Sequence, residues 1–410
     1  MSSDLKRFTV RIAGRDGFPM ERKRSLSNSR NTASDAPEGG KGHLPVASSP
    51  DTRLRVAAAA ERRENVLRAV RFERPAYIPM NFHINEACWH WYPPEVLKEL
   101  MESHPLLFPC FDGTGGGRTE LDYVVIERPG KPFVDGWGCR WEATVEGMVG
   151  SVTKHPLANW ADLADYSPPD PRTDSGKGPI DWGQAAANIE RARSSGRLTM
   201  GGLRHGHTFQ TLADIRGYEN LLLDMADHHP NLIHLAEMVE QFNAAIVHRY
   251  VELGVEWMCY PEDLGMQTGP MISPQMFRTF VKPSYERLIQ PARRAGCAVH
   301  MHSDGQIRDL LQDLIDGGVD VVNLQDLVNG IDWIADRLAG RVCIDLDIDR
   351  QKVTPFATPE QIDDLIRNEV LRLGSKEGGL MMIYGLYPGV PLENVKALMD
   401  AMERYAGFYA

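Results

Sequence analysis

The stretch from residue 296 to 325 reads GCAVHMHSDGQIRDLLQDLIDGGVDVVNLQ, and its reading decides the fold. Residues 298–302 and 319–324 are short apolar runs behind glycine turns, and 306–315 carries apolar residues at helical spacing. Strand, helix and strand in that order predict two parallel strands joined by a right-handed crossover. The pattern continues on both sides. Further strands are expected at 198–203, 255–260, 342–346 and 380–384, with helices at 218–225, 232–253, 274–295, 331–338 and 359–373. Ser273-Pro274 marks one helix start, a capping hydroxyl followed by a first-turn proline. A strand at 78–83, and one in the less legible middle of the chain, bring the total to eight. The expected fold is therefore an α/β (β/α)8 TIM barrel, in preference to an open doubly wound sheet. No GxGxxG or Walker sequence opens any of these helices, so a nucleotide-binding Rossmann fold has no support.

Two regions stand outside the alternation. An inserted β-rich segment shows strand candidates at 123–126, 137–141 and 148–152, separated by Pro-Gly and Glu-Gly turns. Residues 1–50 are rich in Arg, Lys, Ser, Gly and Asn, with eight basic and three acidic residues from Met1 to Arg30. They lack the apolar core of a secretory signal. A disordered leader is expected there, or an over-long start with Met20 as the true beginning, and the barrel is expected to occupy 51–410.

Composition narrows the function classes. The chain of 410 residues is 42% hydrophobic and 25% charged, as in a globular protein. Its 45 Lys and Arg against 56 Asp and Glu give a net charge of -11, which disfavours non-specific nucleic-acid binding. No stretch approaches eighteen consecutive apolar residues, so no membrane partner is expected. The six cysteines form no CxxC pair. Reduced thiols in a cytoplasmic enzyme are the simplest expectation.

In a barrel the reacting groups sit at the C-terminal strand ends. Side chains alternate along a strand, so His300, His302 and Asp304 share one face. Two imidazoles and a carboxylate there suit a divalent metal or acid–base catalysis. A hydrogen-bonded polar cluster without a ligand is the alternative. Glu262 and Asp263, in the segment 260–267 that ends at Gln267, lie just past another strand. They suit metal ligation, a general base, or a solvated capping loop. Cys343, Asp345 and Asp347 share a third strand face. Asn81 and His83 end the first strand, Asn323 and Gln325 another, and His205 and His207 follow Gly201-Gly202. Gly113-Thr-Gly-Gly-Gly117 lacks the Lys-Ser/Thr of a phosphate cradle, so a flexible loop is expected. His228-His229 before Pro230 reads as a solvated turn.

Several segments together resemble the uroporphyrinogen decarboxylase superfamily over roughly residues 60–406. Arg63-Glu-Asn-Val-Leu-Arg-Ala-Val-Arg-Phe-Glu-Arg-Pro75 with Ile78-Pro79 is similar to its opening. His302-Ser-Asp-Gly305 resembles the HSCG or HSDG turn of its methyltransferase-like branches. Leu386-Tyr-Pro-Gly-Val-Pro-Leu-Glu-Asn-Val-Lys-Ala-Leu398 resembles its C-terminal signature. The resemblance implies a (β/α)8 barrel with a cleft at its C-terminal face. It implies either cofactor-free decarboxylation of a tetrapyrrole or methyl transfer between a corrinoid and a thiol at a zinc site.

The sequence departs from both patterns. Asn81-Phe-His-Ile-Asn-Glu86 stands where the decarboxylases carry the arginine-rich RQAGRY motif, and a polycarboxylate substrate needs cationic clamps. Asp304 takes the place of a cysteine ligand. Aligned on Pro391-Leu-Glu-Asn394, Tyr384 stands where the decarboxylases have a histidine and the methyltransferases a last cysteine. Carboxylate and phenol in place of thiolates make a metal site harder in ligand character. The expected function is metal-assisted methyl transfer or demethylation at the barrel mouth, closer to the methyltransferase-like branches. Zinc or another divalent metal would be held by His302, Asp304 and Glu262. His302, Asp304, Tyr384 and Asp263 are the catalytic candidates, and Asn81, His83, His207, Gln267 and Gln325 the substrate-binding ones. The implied partners are a small-molecule substrate and a corrinoid carried by a partner protein, with a homodimer left open. The alternatives are a tetrapyrrole decarboxylase and a non-catalytic binding barrel.

Overall fold

Proline and hydroxyl punctuation fixes where the helices begin. Pro94, Pro230, Pro274 and Pro359 each sit in a helical first turn, where the missing N–H costs nothing. Ser273 Oγ accepts from Met276 N, and Thr358 and Gln361 form a reciprocal capping box. A computed structural model of the chain describes residues 59–109, 111 and 125–409. The strands are β1 (Met80–Ile84), β2 (Phe133–Val134), β3 (Arg140–Glu142), β4 (Ser151–Lys154), β5 (Met200–Gly202), β6 (Trp257–Pro261), β7 (Ala298–Ser303), β8 (Val321–Gln325), β9 (Cys343–Asp347) and β10 (Leu380–Leu386). Helices fall between them: Pro230–Glu252 and Pro359–Leu373 lie where expected, the helix expected over 306–315 is shortened to Leu311–Asp316, and Leu392–Ala406 is a further helix beyond the expected set.

Among the described residues the main sheet has seven strands in the order β1-β10-β9-β8-β7-β6-β5, every pair parallel. It is a curled, TIM-like α/β sheet wrapped by helices. The eighth strand expected in the middle of the chain is not found there. That region instead pairs with itself, as the antiparallel sheet β2-β3-β4. Its strands are two to four residues long and joined by turns at Gly138 and Gly147, both with positive φ, so they cannot reach across the barrel. Val125–Glu127 is a short 3-10 turn and not the strand expected at 123–126. The expected leader at 1–50, the glycine run 113–117, Tyr123 and Val124 lie outside the described residues.

The helix expected over 274–295 has a π-helical turn at Phe277–Val281. Pro283, just beyond it, has no amide hydrogen to give to residue 279, so the ladder shifts by one residue there. His228 is the left-handed cap of one helix, and His229 Nδ1 accepts from Asn231 N at the start of the next, so this pair is a turn as expected.

Register shows how the barrel interior is layered. Val321 pairs with Cys343, Asn323 with Asp345 and Gln325 with Asp347. The floor is apolar: Trp257, Val321, Cys343 and Met381 pack with Ala69 of the helix Ala59–Arg71. Above it the inward residues turn polar, with His300, Asn323 and Asp345, then His302, Gln325 and Asp347. The apolar floor closes one end, and the polar tier faces the C-terminal mouth. Among the described residues no helix is long and apolar enough to cross a membrane.

Candidate functional site

Two glycines let the loops after β6 and β7 cross in contact. A Cβ at Gly265 would lie 2.6 Å from the Gly305 carbonyl carbon. A Cβ at Gly305, where φ is +79°, would lie 2.8 Å from Gly265 Cα. Gln306 N donates to Met266 O at 2.7 Å, and Asp304 N to Asp263 Oδ1 at 3.0 Å. Glu262 N donates to His302 O at 2.9 Å. The crossing therefore presses the acidic residues after β6 against the His-Ser-Asp-Gly turn after β7.

At that crossing three side chains converge. His205 Nε2 lies 3.1 Å from Asp263 Oδ1, and His302 Nε2 lies 3.6 Å from the same oxygen. One ligand-capable atom from each of His205, Asp263 and His302 falls within 4.8 Å of the others. The two imidazoles meet edge to face with centroids 5.4 Å apart. Asp304 Oδ1 is 3.9 Å from His302 Nε2 and 3.4 Å from Arg350 Nη2. Arg350 also pairs with Asp347 at 2.7 Å.

The tautomer of His302 follows from its neighbours. Asn323 Nδ2 donates to the Asp345 carbonyl at 2.6 Å, which turns Asn323 Oδ1 toward His302 Nδ1. An amide oxygen only accepts, so Nδ1 carries the hydrogen and Nε2 presents its lone pair to Asp263 and His205. Burial lowers the His302 pKa and keeps the ring neutral. Burial alone would raise the Asp263 carboxyl, but the hydrogen bond and charge of His205, with the Asp304 amide, hold it at about 2. Beneath them His300 Nε2 pairs with Asp345 at 3.0 Å. Burial pulls that imidazolium down, and the Asp345 hydrogen bond and the neighbouring Cys259 outweigh it, so His300 rises to about 10.

This donor set fits a divalent metal. A tetrahedral ion with nitrogen and oxygen ligands at about 2.0–2.1 Å places those atoms roughly 3.3 Å apart, close to the two measured separations. Two imidazoles and one carboxylate leave a fourth position open to solvent or substrate.

The structure moves several expected residues away from the site. Glu262 is fully buried on the outer side of its strand end, where it accepts from Thr208 N and Gln210 N at 2.9 Å each and from the Tyr285 hydroxyl. It braces the β6 loop and stands outside the metal-competent triad, because side chains alternate and only Asp263 points inward. Tyr384 is also fully buried and outward: its hydroxyl donates to Thr354 Oγ1 at 3.0 Å and its ring packs on Phe82. His207 is buried between Tyr260 and Tyr285, with Nδ1 on Thr208, so it does not line the mouth. Gln325 accepts from Gly305 N at 3.0 Å and so holds the His-Ser-Asp-Gly turn. Gln267 is exposed and bonds Gln351 at 3.3 Å. Asn81 and His83 are exposed on β1, the edge strand.

Arg350 was invisible in the sequence because it lies in a loop after β9, with no periodic context. His205 was recognisable as a residue just past a glycine-rich strand, but nothing in the sequence favoured it over His207.

The residues 137–405 match the family model for uroporphyrinogen decarboxylase (URO-D). Uroporphyrinogen decarboxylases from two strains of Thermus thermophilus are each 31% identical to the chain over 140 residues. Those matches span 33% of this chain and 38% of the relatives' own length. Among solved structures, a methyltransferase from Methanosarcina mazei superposes with a TM-score of 0.56 at 17% identity, covering 85% of this chain and 99% of that one. That likeness is one of fold.

Proposed function

From the premise that the chain belongs to the uroporphyrinogen decarboxylase family, we propose that it is an enzyme of metal-assisted methyl transfer or demethylation. Its substrate is a small molecule, and a corrinoid carried by a partner protein is the methyl acceptor. The observation that carries this reading is the convergence of His205 Nε2, Asp263 Oδ1 and His302 Nε2 within 4.8 Å at the barrel mouth. Zinc or another divalent ion held by these atoms would supply Lewis-acid polarisation of the heteroatom that carries the methyl group.

The chain's own residues do the rest. Asn323 fixes the His302 ring and keeps its Nε2 lone pair aimed into the mouth. Asp263 remains a carboxylate at any physiological pH. Asp304, held by Arg350, lies beside His302 and is the group placed to accept or return a proton at the substrate heteroatom. The apolar floor under Trp257 and Met381 closes the far end, so substrate enters and leaves by the mouth.

Metal analysis after zinc loading tests the reading. One ion per chain is expected in the wild type, none in His302→Ala, and about 10- to 100-fold weaker binding in Asn323→Ala. Sub-stoichiometric metal in the loaded wild type would refute it. A second reading, decarboxylation of a tetrapyrrole, is favoured by the named activity of the two Thermus relatives. Chromatographic loss of carboxylate from uroporphyrinogen, set against spectroscopic methylation of a corrinoid, separates the two.

A further inference from the structure

The clamp that the opening segment lacks has a counterpart elsewhere on the mouth. Arg204 follows β5 and immediately precedes His205. The Lys177 ammonium lies near enough for its charge to act on His205 and for the Asp263 carboxylate to act on it, which sets this cationic group beside the metal-competent triad. Arg204 Nη2 donates to Thr211 Oγ1 at 2.5 Å, while the buried Nη1 has no hydrogen-bond partner. Trp137 is 1% exposed, and its Nε1 is likewise buried and unpartnered. Both groups face the loop at Gly176: a Cβ there would lie 2.7 Å from Trp137 Nε1 and 3.1 Å from Arg204 Nε. The next residue, Lys177, holds its ammonium 4.5 Å from the Trp141 ring centroid.

Neither cation has a contact anion among the described residues. Among the described residues neither Arg204 nor Lys177 makes an ion pair, although their charges are near enough to repel each other. Asp135 and Asp214 act on both cations through their charge, but neither pairs with them directly. Both oxygens of Asp135 are engaged, by Cys139 N at 2.9 Å and Trp141 Nε1 at 2.8 Å. Burial pushes the Asp214 carboxyl up to about 6, against the pull of Arg204 and Lys177. Two half-buried cations without a contact anion, beside two buried N–H donors with no acceptor, are costly unless an anion completes them. A carboxylate matches the set: its oxygens can take Arg204 Nη1 and Trp137 Nε1 while Lys177 supplies charge.

We infer that Arg204, Lys177 and Trp137 form an anchor for a substrate carboxylate, so that the substrate is a small carboxylic acid whose reacting end lies at His205, Asp263 and His302. The inference deepens the proposed function and rests on it only for where the reacting end lies.

The test is calorimetric binding of acetate, succinate, benzoate and 4-methoxybenzoate, each against its amide, to the full chain with and without added zinc. At least one carboxylate is expected to bind tenfold or more tighter than its amide in the wild type. That preference should vanish in Lys177→Met and in Arg204→Gln, while both variants still load zinc. Lys177→Met breaks no hydrogen bond, so it stands if Arg204→Gln fails to fold. No preference for any carboxylate in the wild type would overturn the inference. So would a preference that survives both variants, or one that disappears only in His302→Ala. Failure of the metal reading would show instead as absent zinc with the carboxylate preference intact.

Discussion

Replacing Gly305 by alanine tests whether the loop crossing builds the site. Gly305 has φ +79°, and a methyl there would meet Gly265 Cα at 2.8 Å and its carbonyl more closely still. A left-handed conformation costs an alanine roughly 1–2 kcal/mol. The methyl cannot fit, so the two loops must separate by about 1 Å to reach ordinary contact. Separation stretches the bonds from Gln306 N to Met266 O and from Asp304 N to Asp263 Oδ1, each worth roughly 0.5–1.5 kcal/mol. The expected loss of stability is about 2–5 kcal/mol. Asp263 also draws back from His302, so zinc binding should weaken in the same variant. Gly269, in the same loop as Gly265, is the control: a Cβ there meets nothing within 4 Å and its φ is not positive. Urea denaturation of Gly305→Ala, Gly269→Ala and wild type reads the stability, and a zinc titration reads the site. Gly305→Ala within about 1 kcal/mol of wild type, or as harmless as Gly269→Ala, would refute the reasoning.

Tyr384→Phe removes one buried hydrogen bond to Thr354 and should cost about 0.5–1.5 kcal/mol in urea denaturation, with turnover unchanged. A collapse of turnover at wild-type stability would return Tyr384 to the chemistry. Glu369 is fully buried beside Asp326 and Asp349, and burial together with the Asp326 charge raises its carboxyl well above the ordinary 4.5. A raised folded-state pKa gives stability that is complete below 4.5 and is lost as pH rises through the folded value. Glu369→Gln should therefore flatten the fall of melting temperature with rising pH. Parallel curves for the variant and wild type would count against this account.

Where the sequence was legible, local rules were strong. Residues 298–302 and 319–324 appear as Ala298–Ser303 and Val321–Gln325, and the helix at 359–373 appears with its capping box. Long alternating segments fix strand, helix and inward face together, so His302 and Asp263 could be placed at a strand end in advance. The middle of the chain was illegible because its strands are short. Such strands pair with whichever neighbour the turns bring back, and here the turns return them to each other.

The sequence alone determined a parallel α/β barrel architecture, the polar inward face of β7 and the glycine that ends it. These depend on periods of two and 3.6 residues and on backbone conformations that only certain residues adopt. Tertiary structure decided which of two adjacent acids and which of two nearby histidines come together with His302. Glu262 and His207 turn outward into packed, hydrogen-bonded positions, while Asp263 and His205 meet His302. It also brought Arg350 onto Asp304 and Asp347 and set Arg204 against the loop that carries Lys177, positions with no shared motif. Convergence of residues far apart in the chain is set by how loops cross, and a linear pattern holds no record of that crossing.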